Sequence, residues 1–107
     1  MNRMNTVELM RELEAGLAQL YGPRFRRLYF YGSYARRQES PGSDLDALVV
    51  LDRIDRYGAE LERSSELGAT LSLRWGVTVS LVFISQQDWE SQDSAFLATV
   101  RGEALAA

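Results

Sequence analysis

The sequence predicts an α/β (α+β) fold in which helices pack on a small mixed β-sheet. Segments with apolar residues at helical spacing alternate along the chain with apolar runs of strand length. These runs are almost continuously apolar, as in residues 47–51, which is typical of strands that are covered or paired on both sides. At 107 residues, the chain is predicted to form one domain spanning 1–107. We expect three or four strands, covered by helices on one face.

The N-terminal third is predicted to form a helix followed by a strand. The helix is expected over about 6–20, with Thr6 as its N-cap and Gly22-Pro23 as its stop signal. The apolar run over 25–31 predicts the first strand. The helical interpretation rests on the spacing of Val7, Met10, Leu13, Leu17 and Leu20.

The middle of the chain is predicted to contain a turn, a second strand and a long helix. A short helical turn at about 33–37 and a polar loop at 38–43 lead to a strand over 45–51. A segment of helical character covers about 55–74 and ends at Gly76.

The C-terminal third is predicted to form a third strand and a final helix. The β-branched residues over 77–84 indicate the strand. Ser85 is expected to cap a short turn through Asp88, and apolar residues at helical spacing predict a last helix over about 92–105.

The composition excludes several kinds of chemistry. There are no Cys and no His residues, and all 12 basic residues are Arg. Disulfides, thiolate metal sites, a histidine base, a Walker lysine and Schiff-base chemistry are therefore excluded. No apolar run reaches 18 residues, so we expect no membrane span and a cytoplasmic protein. Any chemistry must use carboxylates, hydroxyls, Arg and a metal.

The charge is unevenly distributed around a net value of −3. Residues 24–37 hold five Arg and no acidic residue, whereas all 15 acidic residues lie in the rest of the chain. An acidic protein does not bind nucleic acid through its net charge, so we expect no direct nucleic-acid binding. The local basic patch suits a phosphate group, and a solvated loop face is the alternative interpretation.

The most informative pattern is Gly32-Ser33, followed after ten residues by Asp44-Leu45-Asp46 at the start of a strand. Alternate side chains share one face of a strand, so the two carboxylates are expected side by side, which favours a divalent cation. A Gly-Ser turn can bring backbone N–H groups and a hydroxyl to phosphate oxygens. The pattern predicts Mg²⁺ and a nucleoside triphosphate. The alternatives are an Asx turn at Asp44 and a solvent-facing strand residue at Asp46.

These residues resemble the minimal nucleotidyltransferases (MNT) of the DNA polymerase β-like nucleotidyltransferase superfamily. The similarity covers the lead-in strand, the Gly-Ser-x-Ala-Arg turn, the spacing to Asp-x-Asp, and the helix and strand that follow. Residues 96–105 are similar to the family's last helix. The resemblance implies the polymerase β-like palm fold.

The resemblance also implies roles for individual residues. Gly32 and Ser33 would hold the β- and γ-phosphates of ATP, and Arg36 and Arg37 of the local basic patch are further candidates for phosphate binding. Arg37 departs from the family, which often has Gly at that position, so its charge could help to bind the triphosphate or could lie in solvent.

By the same resemblance, Asp44 and Asp46 would be the catalytic residues and the Mg²⁺ ligands. The implied reaction is in-line attack on the α-phosphate with release of pyrophosphate.

The sequence departs from the family at the third carboxylate. Ser80 stands where the family has an acidic residue, and its same-face neighbours Thr78 and Val82 are not acidic either. Three interpretations remain open at this point: catalysis with two aspartates, a domain that only binds, or compensation by another acid. The candidates for compensation are Asp52, Asp88 and Glu90.

The resemblance extends to the antitoxins of HEPN–MNT toxin–antitoxin pairs. It implies transfer of AMP from ATP to a tyrosine of a HEPN-type RNase toxin, and a homo- or hetero-oligomer. A catalytically decayed antitoxin that neutralises the toxin by binding alone is the second hypothesis. A small-molecule nucleotidyltransferase is the third, and the small size of the chain weighs against it.

Four aromatic residues have less specific interpretations. Trp75 and Trp89 are expected to anchor the core or an interface, and Tyr29 or Tyr31 could stack on a nucleobase. The last helix near Phe96 could contact a partner, although packing within the chain is favoured.

Overall fold

The computed structural model describes residues 3–35 and 44–106. It contains four helices, one 3₁₀ turn and four strands. In chain order these are α1 (Arg3–Tyr21), the 3₁₀ turn (Gly22–Arg24), β1 (Phe25–Tyr31), β2 (Leu45–Leu51), α2 (Tyr57–Trp75), β3 (Val79–Ser85), α3 (Gln86–Ser91), α4 (Ala95–Glu103) and β4 (Leu105–Ala106).

The sheet is mixed and has the order β3-β2-β1-β4. β1 pairs antiparallel with β2 and with β4, whereas β2 and β3 are parallel. β1 and β2 have the predicted bounds, and β3 begins two residues later than predicted. β4 was not predicted, because a two-residue strand has no periodicity of its own. It pairs only at Tyr29–Ala106 and Phe30–Leu105.

The prediction that helices cover one face of the sheet is wrong. Side chains of β2 alternate between two buried layers. Leu45, Ala47 and Val49 belong to the layer that contains α1 and α2, whereas Leu48 packs with Leu97 and Val100 of α4. Helices therefore cover both faces, which accounts for the nearly continuous apolar sequence of β2.

The predicted start of α1 is also wrong. Thr6 is fully buried inside the helix and is not its N-cap. Val7 and Leu20 of the predicted apolar stripe are each 39% exposed. The buried stripe repeats every four residues instead, at Leu9, Leu13, Leu17 and Tyr21.

α3 begins at its predicted cap, whereas α4 begins at a cap that was not predicted. The Ser85 hydroxyl accepts a hydrogen bond from the backbone N–H of Asp88, as predicted. At α4 the cap is Ser94, whose hydroxyl accepts from the backbone N–H of Leu97. The last helix is therefore shorter than the predicted 92–105.

α2 is attached to the start of the sheet by a buried carboxylate. Glu60 is 4% exposed, and its carboxylate accepts hydrogen bonds from Arg24 at 2.8 Å and Arg63 at 3.1 Å. The Tyr21 hydroxyl donates to the Glu60 backbone carbonyl at 3.3 Å. Burial and the adjacent Glu60 charge raise the pKa of Tyr21 to about 12.

Among the described residues, no helix is long and apolar enough to cross a membrane.

Candidate functional site

The site is built where β1 ends and β2 begins. Tyr31, the last residue of β1, pairs with Asp46 of β2. The chain turns immediately afterwards at Gly32, whose φ of +77° favours glycine. A Cβ atom at Gly32 would lie 2.5 Å from Oδ2 of Asp46. Only glycine therefore lets the turn come this close to the carboxylate.

The turn is anchored in the core two residues later. Tyr34 is 3% exposed and belongs to the layer that contains α1 and α2. Ser33 lies between Gly32 and this anchor and is partly buried. The structure thus holds the Gly-Ser turn against the start of β2. Sequence reasoning missed Tyr34, although a large aromatic residue directly after a polar turn was an available signal.

The two aspartates stand at the beginning of β2. Asp44 directly precedes the strand and is exposed, whereas Asp46 lies within the strand and is partly buried. Pairing with β3 begins between them, where the backbone N–H of Leu45 donates to the Thr78 carbonyl at 2.8 Å. Residues two apart on an extended chain present their side chains to the same face. The structure therefore brings the Gly32 turn against Asp46, with Ser33 next along the turn and Asp44 at the start of the same strand.

Ser80 lies beside Asp46. The parallel register pairs Asp46 with Ser80 and then Leu48 with Val82. Paired residues of neighbouring strands project to the same face. The position where the resemblance implies a third carboxylate therefore carries a hydroxyl. Within residues 3–35 and 44–106, no three acidic, His or Cys side chains form a group that could hold a metal ion.

Asp52, Asp88 and Glu90, the acids considered as substitutes for the third carboxylate, form no such group with Asp44 and Asp46 within the described residues. Asp52 follows β2, six residues or about 20 Å along the chain from Asp46. Burial would raise the pKa of Asp52, but the Arg53 backbone N–H and the Arg24 guanidinium hold it below its usual value. The Glu90 carboxylate accepts a hydrogen bond from Gln86 of the same helix.

Tyr31 and Phe96 border the carboxylate. Their rings meet edge to face with centroids 5.5 Å apart. Burial, the Asp46 charge and the nearby Tyr57 raise the pKa of Tyr31 to about 12, so its phenol stays protonated at neutral pH. Tyr29 was considered as a residue that could stack on a nucleobase. In the structure its ring already stacks on Trp89, with the two ring centroids 4.7 Å apart.

Two predicted site residues fall outside this description. Arg36 and Arg37 lie in 36–43, outside the described residues. Their predicted role in phosphate binding stays a prediction.

The sequence matches a known protein family over most of its length. The family model described as a nucleotidyltransferase domain matches residues 10–100, which include the whole site. The chain belongs to the nucleotidyltransferase domain family. The match spans both buried layers and the Gly-Ser and Asp-x-Asp segments.

Relatives and solved structures agree with this family. A curated relative from Methanocaldococcus jannaschii, named "Putative protein adenylyltransferase MJ0604", is 27% identical over 84 residues, or 78% of each chain.

Two solved structures share the fold of this nucleotidyltransferase. The crystal structure of a toxin-antitoxin with AMP-PNP contains a chain that matches at a TM-score of 0.60 with 20% identity, covering 99% of this chain and 72% of that one. A second match has a TM-score of 0.57 with 20% identity and covers 99% and 71%. It comes from the structure described as tri-AMPylated Shewanella oneidensis HEPN toxin in complex with MNT antitoxin.

Proposed function

We propose that this nucleotidyltransferase is an antitoxin that transfers AMP from ATP to a tyrosine of a cognate HEPN RNase toxin. The observation that carries the proposal is the approach of the Gly32 turn to Asp46, where a Cβ atom would lie 2.5 Å from the carboxylate. This arrangement places a phosphate-binding turn against a candidate metal ligand, as transfer of a nucleotidyl group requires.

The residues present suit Mg²⁺. This hard cation prefers carboxylate oxygens, and it is commonly held by one or two carboxylates together with substrate phosphates. Asp44 and Asp46 supply such a pair, and the lack of a side chain at Gly32 lets the turn lie against the Asp46 carboxylate. When bound, the ion would neutralise charge on the triphosphate and on the leaving pyrophosphate.

The chain's own residues then bind and orient the reactants. In the proposed reaction the acceptor phenolate oxygen forms a bond to the α-phosphorus, and the bond from that phosphorus to the pyrophosphate oxygen breaks. The phenolic proton passes to solvent, because Ser80 is a hydroxyl and is a poor base. The Gly32-Ser33 turn would fix the β- and γ-phosphates, so that catalysis by this domain is mainly positioning.

The comparisons support a HEPN toxin as the acceptor. One structurally similar complex is described as holding a tri-AMPylated HEPN toxin with its MNT antitoxin. A curated relative is named as a protein adenylyltransferase. We place the pair in the cytoplasm, as a hetero-oligomer, where ATP and Mg²⁺ are supplied. Added phosphate charge beside an RNase site would repel RNA, which gives the modification its inhibitory effect.

The test uses this chain and its purified toxin with ATP and Mg²⁺. We expect the toxin to gain the mass of one or more AMP groups, each less one water, as measured by intact-mass spectrometry. The gain should disappear with Asp44→Ala and with Asp46→Ala. Glu62→Ala, at an exposed acid on α2 away from the site, is the matched control and should retain the gain. An unmodified toxin under these conditions would contradict the proposal.

A second candidate function is neutralisation by binding alone. Ser80 favours it, because the register places this hydroxyl beside Asp46 where a third carboxylate is implied. In this case the toxin's mass would stay unchanged while its RNase activity is inhibited. Inhibition would then also survive Asp44→Ala and Asp46→Ala, which separates the two functions.

A further inference from the structure

A cavity opens at the edge strand β3, and part of its lining lies on the sheet face that carries Asp46. Its volume is about 460 Å³, within the usual range of ligand sites. Leu48 and Val82 contribute to the lining, and each follows the Asp46–Ser80 pair by two residues. Two residues of a strand span about 7 Å. The near end of the cavity therefore lies about 7 Å along the strands from the candidate catalytic carboxylate, roughly the length of a tyrosine side chain, and Asp46 itself is not part of the lining.

An aromatic side chain connects the cavity with the site. Phe96 lines the cavity and is 42% exposed, and its ring contacts Tyr31, the residue opposite Asp46. Together with Leu97, it gives the cavity an apolar wall that suits a flat ring. The lining also presents hydroxyls held by backbone hydrogen bonds, among them that of Tyr57, which accepts from the Phe83 backbone N–H at 3.1 Å.

The cavity carries negative charge. Asp55 and Asp88 are among its lining residues, and no Arg is found among the described ones. Asp55 faces an exposed Arg53 at 3.7 Å. The carboxylate of Asp88 makes no ion pair within the described part of the chain. Such a lining repels a triphosphate and attracts a cationic group.

We propose that this cavity is the acceptor site and takes a tyrosine side chain of the partner protein, flanked by Arg or Lys. The apolar wall would hold the ring with the phenol directed towards Asp46 and the α-phosphate. Asp55 and Asp88 would attract the flanking cations. The inference rests on the proposed function, since it assigns the place of the acceptor in that reaction. A nucleobase is the other flat group that the wall could hold, and the acidic lining disfavours a ligand that carries phosphates.

The test measures binding without requiring turnover. The probe is a fluorescently labelled peptide with one Tyr between two Arg residues, followed by fluorescence anisotropy. We expect Asp55→Asn/Asp88→Asn to weaken its binding about fivefold at low salt, because two attractive charges are lost. The matched control is Glu62→Gln/Glu66→Gln, which removes two exposed charges from α2 and should leave binding unchanged.

A charge reversal in the peptide and in the protein sharpens the test. Replacing both Arg residues of the peptide by Glu should abolish binding to the natural chain. Gln92→Arg adds a positive charge at an exposed lining residue. This variant should bind the peptide that carries Arg more weakly than the natural chain does, and should recover part of the affinity for the peptide that carries Glu. Replacing the peptide Tyr by Ala should also weaken binding, because the ring would no longer contact the apolar wall.

Several outcomes would overturn the inference. They are equal binding of the Arg and Glu peptides, no binding of the Arg peptide up to about 1 mM, and a loss of ATP affinity in Asp55→Asn/Asp88→Asn. The last result would assign the cavity to the nucleobase. A toxin that gains no AMP while the peptide binds as expected would refute the proposed transfer and leave the cavity only as a binding site for a tyrosine of the partner.

Discussion

Replacing Gly32 by alanine tests whether the turn sets the position of the Asp46 carboxylate. Two costs are expected. The first is backbone strain of about 1–2 kcal/mol, because φ is +77° and a residue with a Cβ atom adopts this region poorly. The second is steric, because the new Cβ atom would lie 2.5 Å from Oδ2 of Asp46, whereas ordinary contact begins at 3.4 Å. The oxygen must therefore move by 0.9 Å, the difference between these two distances.

The two costs separate in different measurements. The carboxylate can rotate away, so the steric cost should fall on function, while the strain falls on stability. Mg²⁺ demands near-ideal ligand geometry. A misplacement of about 1 Å can reduce the rate on the order of 100-fold. We therefore expect Gly32→Ala to lose about 1–2 kcal/mol in urea unfolding and to transfer AMP on the order of 100-fold more slowly.

Gly22→Ala is the matched control. Gly22 also has a positive φ, +57°, but nothing lies within 4 Å of the point that a Cβ atom would occupy there. It should show a similar loss of stability and a nearly normal rate, with Mg²⁺-dependent ATP binding measured by calorimetry as a second readout. If Gly32→Ala binds ATP and transfers AMP as Gly22→Ala does, the turn does not position Asp46 and the reasoning is wrong.

Three further predictions concern Ser80, Glu60 and two tyrosines. Ser80→Asp places a third negative charge beside Asp46, so we expect a lower melting temperature without Mg²⁺. Adding Mg²⁺ should restore the melting temperature, and AMP transfer should be faster. An unchanged melting temperature would contradict the register. Glu60→Gln leaves the partly exposed Arg24 and Arg63 with a weaker hydrogen-bond acceptor. We expect the free energy of unfolding, measured in urea, to fall by about 1–3 kcal/mol. An unchanged value would mean that these ion pairs add no net stability. Burial raises the pKa of Tyr21 and of Tyr31 to about 12 in the folded protein, whereas the ordinary value of 10.0 applies to the unfolded chain. The buried neutral phenols therefore make their full contribution to folding stability below about pH 10. That contribution declines as the pH rises towards about 12. A pH titration of phenolate absorbance, with urea unfolding measured at each pH, should show both the late ionisation and the loss of stability. Ionisation of all the tyrosines near pH 10 would refute the prediction.

The sequence predicted those features that depend on local pattern. The bounds of β1 and β2 follow from apolar runs between polar turns. The position of Ser80 was implied by the resemblance to the family, and the register with Asp46 agrees with it. The number of covered faces could not be predicted in this way, because continuous apolar strands do not show where each helix packs. Thr6 was misassigned because a buried hydroxyl inside a helix has the same local sequence as a cap.

The cavity was beyond local reasoning for a different reason. Its lining comes from β2, the loop after it, α2, β3, α3, the following loop and α4. No spacing along the chain brings Asp55 and Asp88 together. Only the tertiary arrangement of these segments places both carboxylates beside the apolar wall.

The two-layered sheet gives each tryptophan its own environment. Trp75 packs against the layer of α1 and α2 and donates to Glu12 at 3.0 Å, whereas Trp89 packs on the opposite face against Tyr29, with Arg101 over its ring. Trp75→Phe and Trp89→Phe would therefore give two single-tryptophan proteins whose fluorescence reports separately on the two halves of the molecule. The layer that forms the cavity can then be watched as it opens or closes around a partner, while the other serves as an internal reference.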